Sequence, residues 1–310
     1  MQRFYPIGTP GTPWGDSERR AWFEAQRPAR SYHEQVLARL QLKLPSNFTI
    51  TQYGALPVDP QRYPLFALSA DGAGSSAPWV LITGGVHGYE TSGVQGALDF
   101  VHGRAQDYLD RVNFLVLPCV SPWGYEMITR WNPNAVDPNR SFKADSPAEE
   151  AASAMALLEE RQLRFLMHID LHETTDSDED EFRPALAARD GEAFKPGTIP
   201  DGFYTVGDRD RKVLPFQQAI IEAVAQVTHI ADADADGTLI GTAADAPGII
   251  HIPSSRLGLC AGVTGAPYTS TTEVYPDSAR VTDEQCNAAQ VAATCGALDY
   301  ALQHPPAAPH

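Results

Sequence analysis

The clearest pattern in the chain is an apolar run, residues 79–82 (WVLI), bulky and branched enough to be a buried strand. Gly84 and Gly85 let the backbone turn after it, and residues 92–101 continue as a helix. Residues 112–117 (VNFLVL) read as another buried strand. Residues 47–53 alternate apolar and polar like a half-exposed strand, and residues 63–68 form a second. These two and 79–82 are expected to be neighbours in one sheet. A helix is expected at 31–42, with Val36, Leu37 and Leu40 on one face. Further helices are expected at 147–162, 213–226 and 283–302, and strands at 164–171 and 270–275. The stretch between 171 and 213 reads as a long loop region, as does 231–247; the tail 304–310 reads as frayed. Residues 1–30, with several Gly and Pro and two Trp, suggest an irregular arm packed on the domain. Alternating helices and strands imply an α/β fold, with a mixed, mostly parallel central sheet and helices on both faces. With no repeat and no clear linker, the expected organisation is an arm (1–30) and one domain (31–303).

A chain of 310 residues that is 43% hydrophobic can bury a sizeable core and is not disordered. The net charge of −16 argues against nucleic acid and against anionic membrane surfaces. The four cysteines, Cys119, Cys260, Cys286 and Cys295, form no CxxC pair and are too sparse for a disulfide framework, so they read as reduced core residues. No apolar stretch has the length of a signal or a membrane span, and the expected location is cytoplasmic.

Against that background a few polar residues stand out. His87 and Glu90 are three apart where a strand hands over to a helix, a spacing that brings an imidazole and a carboxylate to one side of a turn. Zinc accepts both donor types, and a set of two His and one Glu leaves a fourth position for water. In RFLMHIDLHE (164–173), alternation puts Phe165, Met167, Ile169 and Leu171 on one face and His168, Asp170 and His172 on the other. His172, at the strand's C-terminal end, is the candidate third ligand; His168, nearer the middle, reads as a core histidine or one supporting the ligands. The loop SPWGYEMITRWNPNAVDPNRSF (121–142) carries Arg130, Asn139 and Arg140, and arginine suits two-pronged binding of a carboxylate. In STTEVYPD (270–277), Glu273 is a candidate general base.

Together, GGVHGYE, TRWNPNAVDPNRSF, DLHE and TTEVYPD, in that order, resemble the zinc carboxypeptidases of the M14 type over about residues 31–302. The resemblance implies the carboxypeptidase-like α/β fold and one zinc ion per chain held by His87, Glu90 and His172. It implies Asp137 as the carboxylate orienting the first histidine, Arg130 as oxyanion stabiliser, Asn139 and Arg140 as holders of the substrate's terminal carboxylate, and Glu273 as general base. The implied activity is hydrolysis of a C-terminal amide bond of a peptide. The pattern also departs from the digestive members. The region before Glu273 has Tyr268 as its only tyrosine, close to the strand. The Glu90-to-His172 spacing is shorter, which suggests a trimmed groove nearer the small bacterial members and the acyl-amino-acid deacylases.

An N-acyl amino acid or a cell-wall peptide is therefore the alternative substrate, and a non-catalytic metal-binding domain the alternative of another class. The acidic residues 176–181 read as a solvated loop, and Asp232, Asp234 and Asp236 mimic a calcium loop that lacks its closing Glu at Ala243. Arg183 and Arg256 are candidates for selecting an acidic side chain.

Overall fold

A computed structural model of the chain describes residues 5–45 and 47–306. The chain begins with α1 (Asp16–Ala25), then a π-helical turn (His33–Leu37) leading into α2 (Ala38–Leu40). β1 (Thr49–Ala55), β2 (Pro64–Ala70), β3 (Trp79–Gly84), α3 (Thr91–Gly103), β4 (Asn113–Leu117), α4 (Pro122–Met127) and α5 (Glu149–Arg161) follow. After these come β5 (Phe165–Glu173), a π-turn (Asp178–Phe182) continuing as α6 (Arg183–Asp190), β6 (Tyr204–Asp208) and α7 (Leu214–Val224). A small hairpin, β7 (Thr238–Leu239) and β8 (Thr242–Ala243), precedes β9 (Ile249–Ile252), β10 (Tyr268–Val274) and α8 (Asp283–Gln303).

Eight strands form one mixed sheet in the order β1-β2-β4-β3-β5-β10-β6-β9. The interior ladder β4-β3-β5-β10 is parallel, and the outer pairs β1-β2, β2-β4 and β10-β6 are antiparallel. Val80 and Ile82 pack with Val94, Leu98, Ile220 and Leu298 of α3, α7 and α8. On the other face Leu81, Leu115 and Leu117 meet Ala151, Ala154 and Leu157 of α5. Fully burying each large aliphatic side chain contributes about 1.5–3 kcal/mol, which is why the two-sided apolar run of β3 takes the middle of the sheet.

Several expectations are corrected. β3 does not neighbour β2: β4 inserts between them, because the crossover through α3 returns parallel to β3 and leaves the outer hairpin to pair with β4. The first thirty residues are not wholly irregular, since α1 forms and buries Trp22 in the same cluster as Val80. Residues 171–213 are not one long loop, because α6 and β6 lie within them. In β5, Phe165 packs on the α5 side and Leu166 joins Met167 on the other, because a bulge opposite Trp79/Val80 shifts the alternation there. The last four residues of the tail lie outside the described residues. All four cysteines are free. Among the described residues, no helix is long and apolar enough to cross a membrane.

Strand β3 has β4 on one side and β5 on the other, so the crossovers leave its C-terminal end in opposite directions. In open α/β sheets ligands gather outside the strand C-termini at such a switch point. That edge is where the polar candidates lie.

Candidate metal centre

His87 and Glu90 sit in the turn that joins β3 to α3, with the Glu90 amide donating to the His87 carbonyl. The turn is pressed so closely on its neighbours that a Cβ on Gly88 would lie 2.0 Å from the Tyr125 nitrogen, so a side chain there would displace the histidine loop. Arg30 clamps the same turn, donating to the Gly88 carbonyl (2.7 Å), the Thr91 hydroxyl and the Tyr125 carbonyl, and lying 3.5 Å over the Tyr125 ring. Glu173, the last residue of β5, accepts from the amides of Thr91 and Ser92, which ties the strand's end to the start of α3.

His172, next to last in β5, reaches the same point. His87 Nδ1 lies 2.8 Å from Glu90 Oε1, and His172 Nδ1 lies 2.7 Å from Glu90 Oε2. The far nitrogen of each ring is taken by another carboxylate: His87 Nε2 by Asp137 at 3.0 Å and His172 Nε2 by Asp170 at 2.8 Å. The two Nδ1 atoms therefore both face Glu90 and converge on that one carboxylate. The approach of His172 to Oε2 is close but not aligned as a hydrogen bond, and Oε2 is left as a buried oxygen without a hydrogen-bond partner. Donor atoms from the three residues all lie within 4.8 Å of one another, and each residue is at least 98% buried. Among the described residues this is the one such group of His, Cys, Asp and Glu. Two imidazole nitrogens and a carboxylate with paired oxygens, all facing one buried point, fit a zinc ion.

The electrostatics match this reading. Burial opposes the Glu90 charge, but the His172 and His87 rings outweigh it and hold the carboxyl down at about 2. Burial likewise works against a charged His172, yet Asp170 and Glu90 raise that ring well above its ordinary value. Asp170 is fixed by the Thr83 hydroxyl at 2.6 Å, which also meets His168 Nε2 at 3.0 Å. His168 thus lies behind the site rather than in it, and burial lowers its imidazole to about 4.

A cavity of about 230 Å³ opens beside this group, and His87, Arg130, Asn139, Arg140 and Glu273 all line it. Glu273, near the end of β10, is the register partner of His172. Its Oε2 accepts from Thr174 Oγ1 at 3.0 Å, and burial, aided by Glu90 and Asp178, pushes its carboxyl up to about 8 despite His172. Arg130 is held by Asp137 (3.3 Å), by the Asp178 carboxylate and the Tyr89 hydroxyl (both 3.1 Å), and over the Phe182 ring. Asn139 receives the Cys260 amide on its oxygen and places its nitrogen 3.5 Å from His172 Nε2. All eight candidate residues are therefore brought together.

Other sequence readings fare differently. Tyr268 lies at the opposite end of β10 from Glu273, packed against Phe216 and Tyr300, and donates to the His304 carbonyl, so it is not at the cavity. Arg183 lines the cavity but pairs with Glu179 at 2.6 Å, whereas Arg256 is exposed and pairs with Asp210. The acidic run is not uniformly solvated. Asp178 is buried and accepts from Tyr89, Arg130 and the Thr175 amide. Asp234 and Asp236 are occupied by the Thr198 and Thr238 hydroxyls. Sequence reading missed Tyr89, Asp178, Phe182 and Tyr204 as cavity or Arg130 partners. The one available signal was Phe182, a single aromatic residue at the end of the acidic stretch.

The sequence model of the zinc carboxypeptidase family matches residues 34–172, the segment that contains His87, Glu90, Arg130, Asp137, Asn139, Arg140 and His172. No curated protein sequence matches the chain. Among solved structures, a protein of Shewanella amazonensis named as a candidate metallopeptidase is 20% identical, with 87% of this chain and 91% of that one aligned at a TM-score of 0.64. A metallo-carboxypeptidase of Burkholderia cenocepacia is 16% identical over 93% of this chain and 70% of its own, at a TM-score of 0.57. A metallo-carboxypeptidase of Pseudomonas aeruginosa, in complex with (2-guanidinoethylmercapto)succinic acid, is 13% identical over 94% and 70%, at 0.55. At these identities the likeness is one of fold.

Proposed function

We propose that the chain is a metallopeptidase of the carboxypeptidase type, a member of the zinc carboxypeptidase family whose sequence model matches residues 34–172, and that it cleaves the amide bond next to a free carboxylate, using one zinc ion held by His87, Glu90 and His172. The observation that carries the reading is the state of Arg140. Of the guanidiniums lining the cavity, Arg130 and Arg183 already have carboxylate partners, while the one hydrogen bond of Arg140 is a long contact to the Asn139 carbonyl, 3.5 Å. A guanidinium exposed at the cavity, influenced by Asp137 and Glu273 but with no ion pair to a carboxylate among the described residues, suits a substrate carboxylate. In this reading residues 31–303 are the catalytic domain and residues 1–30 an arm packed on it. The burial of Trp14 and Trp22 and the grip of Arg30 on the histidine loop support that division.

Bound zinc supplies Lewis acidity towards the amide carbonyl and brings the pKa of water down towards about 7. Glu273 accepts a proton from the attacking water and delivers it to the leaving amine. Arg130 has Nε and Nη1 committed to Asp137, Asp178 and Tyr89, so Nη2 remains to donate to the developing oxyanion. One such donor is typically worth about 3 kcal/mol in the transition state. Arg140 and Asn139 fix the carboxylate, which selects the terminal bond.

The cavity, about 230 Å³, is smaller than the 300–1,000 Å³ usual for sites that enclose drug-sized ligands. The cavity opens to solvent, so this volume bounds the part of the substrate that enters it and not the length of chain outside. A panel of N-acyl amino acids, dipeptides and longer peptides, each with a free or an amidated C-terminus, tests the reading on zinc-loaded protein. Turnover confined to free carboxylates is expected, and equal turnover of amidated substrates overturns it.

A further inference from the structure

The acidic stretch after β5 contains the π-turn Asp178–Phe182, and both ends of that turn meet Arg130. Turns of this kind are rare and gather at functional sites. Asp178, the first residue, receives Arg130 Nη1 on its Oδ1 at 3.1 Å. Phe182, the last, has its ring centre 4.3 Å from the guanidinium carbon. One turn thus holds the guanidinium at its edge by a carboxylate and on its face by an aromatic ring. Among residues 176–181 only Asp178 is buried.

Tyr89 closes the arrangement. Its hydroxyl donates to Asp178 Oδ1 at 2.7 Å and accepts from Arg130 Nη1 at 3.1 Å. Three hydrogen bonds therefore form a closed triangle. Tyr89 lies between His87 and Glu90 in the chain, so the triangle ties the guanidinium to the turn that carries two of the candidate metal ligands. Asp178 is itself fixed from the other side, where Oδ2 accepts from the Thr175 amide at 2.9 Å. Glu179 pins the next position of the turn, taking Arg183 at 2.6 Å and the Gly197 amide at 3.1 Å.

Arginine stays protonated without help, so these contacts are not needed to keep Arg130 charged. What they fix is the direction of Nη2, the nitrogen they leave uncommitted. The arrangement desolvates its members: Asp178 and Tyr89 are buried, and the Arg130 side chain is only 16% exposed. A donor held in this way needs no reorganisation when charge develops on a reacting oxygen.

We propose that Asp178 and Tyr89 are positioning residues that aim Nη2 of Arg130 at the developing oxyanion. The buried carboxylate of the acidic stretch then serves the transition state and not the binding of substrate. The inference rests on the carboxypeptidase reading of the site and adds what sets the geometry of its oxyanion donor.

The test uses zinc-loaded protein and an N-acyl dipeptide with a free C-terminus. It compares wild type with Tyr89→Phe, Asp178→Asn and Arg130→Ala, and with the two double variants that join each of the first two to Arg130→Ala. Tyr89→Phe and Asp178→Asn should each lower kcat about 10–100-fold, with KM within about twofold and zinc content unchanged. Their affinity for a phosphonate analogue of the tetrahedral transition state should fall by the same factor as kcat/KM. On the Arg130→Ala background neither change should lower kcat further, because residues that act through one group are not additive. Tyr89→Phe removes one hydroxyl and no charge, so it decides the matter if Asp178→Asn fails to fold. Wild-type kcat in Tyr89→Phe, full additivity on the Arg130→Ala background, or loss of zinc from Tyr89→Phe overturns the inference while leaving the carboxypeptidase reading in place. A wild type that binds zinc and hydrolyses no free-carboxylate substrate overturns both.

Discussion

Glu273 and His172 are register partners on the parallel strands β10 and β5, so the candidate base and the candidate third ligand project from adjacent positions on one face of the sheet. The geometry assigns the two residues separable tasks. Glu273→Gln should leave zinc content and melting temperature unchanged and lower kcat by about 10²–10⁴-fold, the usual worth of a positioned base. Metal analysis and steady-state kinetics on the same preparation check this, and full activity would remove Glu273 from the reaction.

Among the described residues Arg140 is the cavity guanidinium with no ion pair to a carboxylate, so its loss should be felt in substrate binding. Arg140→Ala is expected to weaken binding of free-carboxylate substrates by about 1.5–3 kcal/mol, the range for a hydrogen bond to a charged group. KM should rise accordingly, and amidated inhibitors should bind as before. A rise that is equal for both kinds of ligand would assign Arg140 a structural role only.

Asp170 holds the far nitrogen of His172 and is itself held by Thr83. Asp170→Asn should cost about 10–100-fold in zinc affinity, the usual effect of losing such a partner, measured by competition with a chelator of known affinity. Thr83→Val should act in the same direction and more weakly.

The parts of this site that are local in the chain were legible in the sequence. His87 and Glu90 share one turn whose glycines mark it, and His172 follows from strand alternation. What was hidden depends on contacts between distant segments. Asp178 looked solvated because its neighbours are acidic; its burial comes from Tyr89 and Arg130, 89 and 48 residues away. The role of Asp170 depends on Thr83, on a strand that pairs with its own only in the folded sheet. The position of β4 between β2 and β3 is set by a crossover, which periodicity does not record. The short strands β6 and β9 carry too few residues for a clear pattern.

Glu150, at the start of α5, accepts from Asn132 and Ser121, and burial pushes its carboxyl up to about 7. A carboxyl whose pKa is higher folded than unfolded binds more protons in the native state. Its contribution is therefore full below about pH 4.3 and is lost as pH rises to about 7, a change of about 4 kcal/mol if this group acted alone. Glu150→Gln keeps an acceptor for Asn132 and cannot ionise. Urea denaturation between pH 4 and pH 8 should show a flatter profile for the variant and higher stability than wild type at pH 8. Parallel profiles would contradict the assignment.

The most direct test of the metal centre is the zinc content of purified protein, with and without His172→Ala. One zinc ion per chain in the wild type, lost in a variant that keeps its fold by circular dichroism, is the expected result. Zinc bound equally by both proteins, or a wild type that takes up no zinc when it is supplied, would contradict the assignment of His87, Glu90 and His172 as the ligands.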